Sequence, residues 1–223
     1  GRALYDVCAR REEPIPFFGE LGSVNPMFLL SEALSARGET IAQGWAGSLT
    51  MGVGQFCTNP GIVCLIKGIH ADAFIGAATK ALEPVGAETM LTDGIASAYR
   101  AGRDRIAGIA GVREVLTTMC DLHSATPCLF ATTGHDWLGN HTLGEEVFGP
   151  LGLIVVVDDI EEMRQVALSL QGQLTCSLHL DEGDEETAKK LIPILERKAG
   201  RILANGFPTG VEVADAMVHG GPY

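Results

Sequence analysis

Leu151-Gly-Leu-Ile-Val-Val-Val157 runs directly into Asp158-Asp159 and then into the helical stretch Ile160–Leu170. A run of aliphatic side chains with no polar alternation suits a strand covered on both faces, the condition of a parallel strand flanked by helices. Ile62-Val-Cys-Leu-Ile66, bounded by Gly61 and Gly68, has the same character. Outward from these two, Glu114–Met119, Cys128–Thr133, Leu174–Leu180 and Arg201–Ala204 read as further strands. Ala71–Leu82 and Asp93–Ile106 carry apolar residues at helical spacing, with Thr92 or Asp93 as N-cap. An acidic cluster from Asp181 to Glu186 opens another helix that reaches about Lys198, with Pro193 expected to kink or divide it. Toward the N-terminus the pattern predicts a helix over Arg2–Arg11 and a proline-marked strand at Pro14–Phe18. Two helices then follow, over Pro26–Ala36 and Glu39–Thr50, parted at Gly38. Strands alternating with helices of roughly 10–15 residues are the sequence form of βαβ units. The expected fold is α/β, one domain with a largely parallel sheet covered by helices on both faces.

The composition excludes several classes. The 223 residues hold 16 Lys+Arg against 28 Asp+Glu, a formal net charge of −12, and 46% are hydrophobic. With a mean hydropathy of +0.20 the chain can build a core, so disorder is not expected. Net acidity argues against a nucleic-acid partner, because that affinity comes from cations neutralising phosphates, and against an anionic membrane surface. No stretch approaches the roughly 18 apolar residues of a membrane span, and Gly-Arg-Ala-Leu-Tyr-Asp at the start has no charged-then-apolar leader. A cytoplasmic location is therefore expected. The six cysteines, at 8, 57, 64, 120, 128 and 176, form no CxxC pair and lie mostly in apolar company, which suits reduced, packed thiols. His135-Asp136 and His70 with Asp72 lack a third partner at metal-ligand spacing, so no metal is expected.

Three segments carry candidate chemistry. Gly52-Val-Gly-Gln-Phe-Cys57-Thr-Asn-Pro-Gly61 sets a cysteine in a small-residue loop between a helix and a buried strand. Backbone N–H groups in such a loop favour a thiolate and can hold an oxyanion, although a cysteine packed in a tight turn reads the same way. Glu20, 37 positions earlier in Phe18-Gly-Glu-Leu-Gly-Ser-Val-Asn-Pro26, is either a partly desolvated general base or a solvated loop carboxylate. Leu143-Gly-Glu-Glu-Val-Phe-Gly-Pro150 places two carboxylates ahead of the strand at Leu151. They could accept ribose hydroxyls, or simply end a helix.

Taken together and in this order, Gly-Gln-Phe-Cys57-Thr, Phe-Gly-Glu20-Leu-Gly and Glu-Glu146-Val-Phe148-Gly-Pro resemble the aldehyde dehydrogenase superfamily. Ala199-Gly-Arg-Ile-Leu-Ala-Asn205 adds a further match. Phe17 to Phe28, Asn205 to Val213 and Met217-Val-His-Gly-Gly-Pro-Tyr223 more narrowly resemble the members that act on 2,5-dioxopentanoate, the α-ketoglutarate semialdehyde. Ser23-Val24 departs from the wider family's second Gly and following Lys, which marks a subgroup.

The resemblance implies the catalytic domain of that fold, spanning 1–223 and truncated at both ends, with the N-terminal cofactor-binding domain outside this chain. It implies an NAD(P)-dependent enzyme, NADP or NAD, that oxidises a small aldehyde to a carboxylate. Cys57 would form a thiohemiacetal and then a thioester, and Glu20 would activate the hydrolytic water. Glu146 would bind the nicotinamide ribose, Phe148 would pack near the nicotinamide, and Asn205 would be structural or close to substrate. The full-length protein would be a homo-oligomer. Cofactor-independent esterase activity of the same thiol, or a catalytically silent fragment, are the alternatives.

Overall fold

Successive residues of the central strands are buried alike but against opposite faces of the sheet, and that division sorts the helices into two layers. The computed structural model describes residues 1–19, 21–210, 214–217 and 219–221. The helices are α1 (Arg2–Ala9), α2 (Ser31–Thr50), α3 (Ile69–Leu82), α4 (Asp93–Ala107), α5 (Gly134–Gly139), α6 (Ile160–Ser169) and α7 (Glu185–Leu195). The strands are β1 (Met27–Leu29), β2 (Ile62–Ile66), β3 (Glu88–Thr89), β4 (Arg113–Leu116), β5 (Ser124–Ala125), β6 (Cys128–Thr133), β7 (Leu151–Val157), β8 (Gln173–His179) and β9 (Ala199–Ala204). Among the described residues seven strands form one sheet in the order β4-β6-β7-β2-β1-β8-β9. Its pairings are parallel except β4 with β6, while β3 and β5 make a separate antiparallel pair. Met27, Leu29, Val63, Leu65 and Ile154 face α2 and α3, whose Ala42, Trp45, Leu49 and Phe74 complete that half of the core. Phe28, Cys64, Phe130, Leu153, Val155 and Leu178 face the other way, onto residues of α4 to α7 such as Tyr99, Trp137, Met163 and Leu191. The expected parallel sheet with helices on both faces is the one observed.

Five local expectations are corrected. Pro26–Ala36 is not one helix: Met27, Phe28 and Leu29 are each 0% exposed and pair on both sides, with Val63–Leu65 and with Ser177–His179, as a central strand. Tertiary pairing overrides the helical spacing there. The helix begins at Ser31 and runs unbroken through Gly38, because Ile41, Ala42, Trp45 and Leu49 beyond it continue the buried face. Pro14–Phe18 forms no strand. Two prolines at alternate positions remove the N–H groups that one side of a ladder needs, and the segment is irregular. Pro193 lies inside α7 without dividing it, since Ala188, Leu191 and Leu195 bury one continuous face past it. The Glu114–Met119 strand is confined to Arg113–Leu116.

Asn25 stitches the middle of the sheet. It is 0% exposed and adopts φ +45°, a conformation Asn tolerates better than most residues. Its Nδ2 donates to the carbonyls of Cys57 (2.8 Å) and Asn59 (3.0 Å), and its Oδ1 accepts from Thr175 Oγ1 (3.0 Å). Gln173 Oε1 accepts the backbone N–H groups of Val24 (2.8 Å) and Asn25 (3.0 Å). The segments leading into β1 and β2 are thereby tied to each other and to β8. Replacing Asn25 by Ala removes the side-chain donor to the Cys57 carbonyl and one of the two donors to the Asn59 carbonyl, which keeps the Gly61 N–H at 3.0 Å, and takes the acceptor from a buried hydroxyl. The expected loss is about 2–4 kcal/mol of unfolding free energy in urea titrations, whereas a loss below about 0.5 kcal/mol would show the network to be dispensable.

At the other edge of the sheet His179 closes β8. It is 1% exposed, stacks against Phe207 at 5.2 Å between ring centroids, and has no ring nitrogen in hydrogen-bond geometry. Burial first, and then the nearby Arg37 guanidinium, push its pKa down to about 4; the Gly206 backbone approaches and offsets this only in part. The unfolded chain takes up a proton near pH 6.5 that the folded chain refuses until about pH 4. His179 therefore stabilises the fold fully above pH 6.5 and loses that contribution as pH falls toward 4. Unfolding of His179→Leu should lose about 2 kcal/mol less than wild type between pH 7 and pH 5; identical pH dependence of the two would refute it.

Candidate active site

β7, β2 and β1 are neighbours and run in the same direction, so the loops that precede them meet at the amino edge of the sheet. Those loops are 143–150, 51–61 and 18–26, the three segments singled out from the sequence. The first two touch through their backbones. Gly54, with φ +66°, lies where an added Cβ would stand 2.3 Å from the Gly149 carbonyl carbon and 2.4 Å from the Pro150 nitrogen. Gly149, with φ +148°, likewise packs on Tyr99, whose ring would be 2.3 Å from a Cβ. The second and third loops are joined by the Asn25 bond to the Cys57 carbonyl. The first and third meet at Gly22, where a Cβ would lie 3.0 Å from Glu146 Oε2.

Cys57 follows three consecutive left-handed residues, Gly52, Val53 and Gly54. Val53 is β-branched at φ +59°, a strained conformation held by its burial in the core. Thr58 and Asn59 are buried, with Asn59 Nδ2 donating to the Leu49 carbonyl at 2.8 Å, and Cys57 is half-buried above them. The other thiols separate by environment. Burial pushes Cys64 far above the ordinary thiol range, Cys176 up to about 12, and Cys128 upward, so these three are packing groups. Cys8 and Cys120 are half-buried as well, but Cys8 lies on α1, away from the sheet, and the Cys120 thiol donates to the Ser124 carbonyl at 3.1 Å. Across the loop, Cys57 Sγ lies 3.4 Å from His219 Nε2.

Glu146 is exposed and Phe148 is 36% exposed. Glu146 borders a cleft of about 250 Å³ lined by Leu21, Gly22, Trp137, His141 and Gln173. With Phe148 and Gly54 it also borders a smaller hollow of about 30 Å³. Its neighbour Glu145 is turned to Arg105 at 3.3 Å. Glu20 lies outside the described residues. Asn205 stands at the opposite, carboxyl edge of the sheet, after β9. There, at φ +54°, it donates to the Leu180 carbonyl (2.9 Å) and accepts from Leu180 N–H (3.0 Å) and Arg37 Nη2 (3.1 Å). These contacts give it a structural part at the turn out of β9. Asn25, Gly54 and His219 were not among the residues singled out from the sequence. A buried Asn at positive φ has no local pattern, and His219 is 162 positions from its partner. Among the described residues no group of three His, Cys, Asp or Glu side chains could hold a metal ion, and no helix is long and apolar enough to cross a membrane.

No family model matches the chain. It is 48% identical over 228 residues to alpha-ketoglutaric semialdehyde dehydrogenase 2 of Azospirillum brasilense, and 42% identical over 226 residues to alpha-ketoglutaric semialdehyde dehydrogenase of Acinetobacter baylyi. Each alignment takes in 100% of this chain and 43% of the relative, so the chain spans less than half the length of the curated relatives it matches. Among solved structures, a 1-pyrroline-5-carboxylate dehydrogenase superposes with a TM-score of 0.77 at 17% identity over 99% of this chain and 43% of that one. Succinic semialdehyde dehydrogenase from Streptococcus pyogenes, in complex with NADP+, superposes at 0.71 and 19% identity over 91% and 44%. At such identities the superpositions speak for the fold alone. Along its whole length, then, this chain is homologous to alpha-ketoglutaric semialdehyde dehydrogenases and has the aldehyde dehydrogenase fold.

Proposed function

We propose that the chain is the thiol-bearing catalytic domain of an NAD(P)-dependent aldehyde dehydrogenase, acting on a small semialdehyde such as 2,5-dioxopentanoate. The observation that carries this reading is the convergence of the loops ahead of β1, β2 and β7, which brings a half-buried thiol, an exposed carboxylate and a part-exposed aromatic ring to the same edge of the sheet. Whole-chain identity of 48% to a semialdehyde dehydrogenase supports the substrate class.

Cys57 is the nucleophile in this reading. Its sulfur adds to the aldehyde carbon, and the acyl group is later released from the resulting thioester by water. Glu20 is the base for that water, assigned from its place in Phe-Gly-Glu-Leu-Gly. Glu146 and Phe148 fit the nicotinamide riboside of a dinucleotide. The carboxylate stands over Gly22, where any side chain would meet it, and the ring faces a neighbouring hollow. Such a cofactor, when bound, supplies the hydride acceptor. Phe18, Leu21 and Phe56, all exposed on the converging loops, offer the apolar face against which a cofactor-binding domain closes.

Cys57→Ser in the whole protein should lower kcat for 2,5-dioxopentanoate with NAD+ or NADP+ by at least about a thousandfold, with the fold unchanged by circular dichroism. Retention of more than about a tenth of wild-type kcat would rule out Cys57 as the nucleophile.

A further inference from the structure

The segment after β9 turns back and crosses the whole depth of the sheet along α2. Asn205 meets Arg37 near the start of that helix. Phe207 lies against Gly44, where a Cβ would be 2.4 Å from its ring. Thr209 Oγ1 then accepts from Ser48 Oγ at 2.8 Å near the helix end. The described tail beyond it is fixed on both sides of residue 219. Arg201 Nη1 reaches Met217 Sδ at 3.0 Å, and Gly220 O takes the space that a side chain on Gly200 would need. Gly221 lies along the backbone of Gln173, where its Cβ would be 3.4 Å from the carbonyl oxygen. Gln173, Gly200 and Arg201 belong to the amino ends of β8 and β9. The chain thus carries His219 from the far edge of the sheet to the edge where Cys57 stands.

We propose that His219 is the proton acceptor of Cys57, a positioning and activating residue for the thiol. This inference rests on the reading of Cys57 as the nucleophile. Nε2 lies 3.4 Å from Sγ, within reach of a thiol hydrogen bond. In the step, the S–H bond breaks, the proton moves to Nε2, and the electron pair stays on sulfur. The neutral thiol and imidazole become thiolate and imidazolium, with no change of oxidation state. Asn25, Thr58 and Asn59, which hold the loop from beneath, are uncharged. Among the described residues, the charged groups on the segments around the pair are Arg201, engaged with Met217, Glu146, standing over Gly22, Glu145, paired with Arg105, and Asp215 on the tail itself; Glu20 lies outside the described residues. The histidine contributes in two ways: it takes the proton, and as imidazolium it holds the thiolate in place for attack.

The test is the rate at which iodoacetamide alkylates each cysteine of the purified 223-residue chain between pH 5 and pH 9.5, read by peptide mass mapping, in wild type, His219→Ala and His219→Gln. In wild type, Cys57 should outpace Cys8 and Cys120, with a half-maximal pH below the ordinary thiol value of about 8.5. Both variants should raise that midpoint by about one unit and slow Cys57 at pH 6.5 about tenfold, while the rates above pH 9 and those of Cys8 and Cys120 stay the same. A merely structural role for His219 would slow Cys57 equally at every pH. Superimposable profiles with Cys57 still the fastest thiol would overturn the role of His219 and leave the nucleophile in place. A wild-type Cys57 no faster than Cys8 and Cys120 would overturn the nucleophile itself, and the pair with it.

Discussion

The amide of Asn25 holds the amino edge of this molecule together. A backbone carbonyl in the loop before a strand has no ladder partner, and leaving it unpaired away from water costs about 1–3 kcal/mol. One side chain answers two such carbonyls, those of Cys57 and Asn59, while its oxygen serves Thr175 on β8. Three segments distant in sequence are therefore fixed by a single planar group. The position of the Cys57 thiol is set from below, through its own main chain and the Asn25 bond to its carbonyl.

The consequence for architecture is a site on the unusual side. In open α/β sheets ligands commonly sit beyond the carboxyl ends of the strands, where helix N-termini point. Here the converging loops precede their strands, and the carboxyl edge is closed by packing groups instead: His179 on Phe207, and Asn205 with Arg37 and Leu180. The amino edge admits close approach because Gly54 and Gly149 carry no side chains where backbone and Tyr99 lie. The backbone proximity is bought with strain at Val53.

Much of this was legible from residues alone. The parallel sheet followed from Ile62–Ile66 and Leu151–Val157, whose unbroken apolar runs need cover on both faces, whereas the motifs around Cys57 and Glu146, each ambiguous alone, were singled out by their joint resemblance to aldehyde dehydrogenases. What escaped was decided at long range. Met27–Leu29 carries no local mark of a strand, since it is extended only because β2 and β8 pair with it. Gly38 and Pro193 weaken their helices locally, yet the buried faces of α2 and α7 carry the helices through them. A polar hub such as Asn25 and a pair such as Cys57 with His219 are invisible to spacing arguments, because their partners are brought together by the sheet order.

The tail that bears His219 also lies on β9, which among the described residues pairs with β8 on one side only. An open strand margin is a template for another chain, and proteins blunt such margins with irregular cover. Gly220 resting on Gly200 does this at the amino end of β9. On the proposed reading the same few residues support the thiol and cover the strand margin, so a substitution among them is expected to act on both.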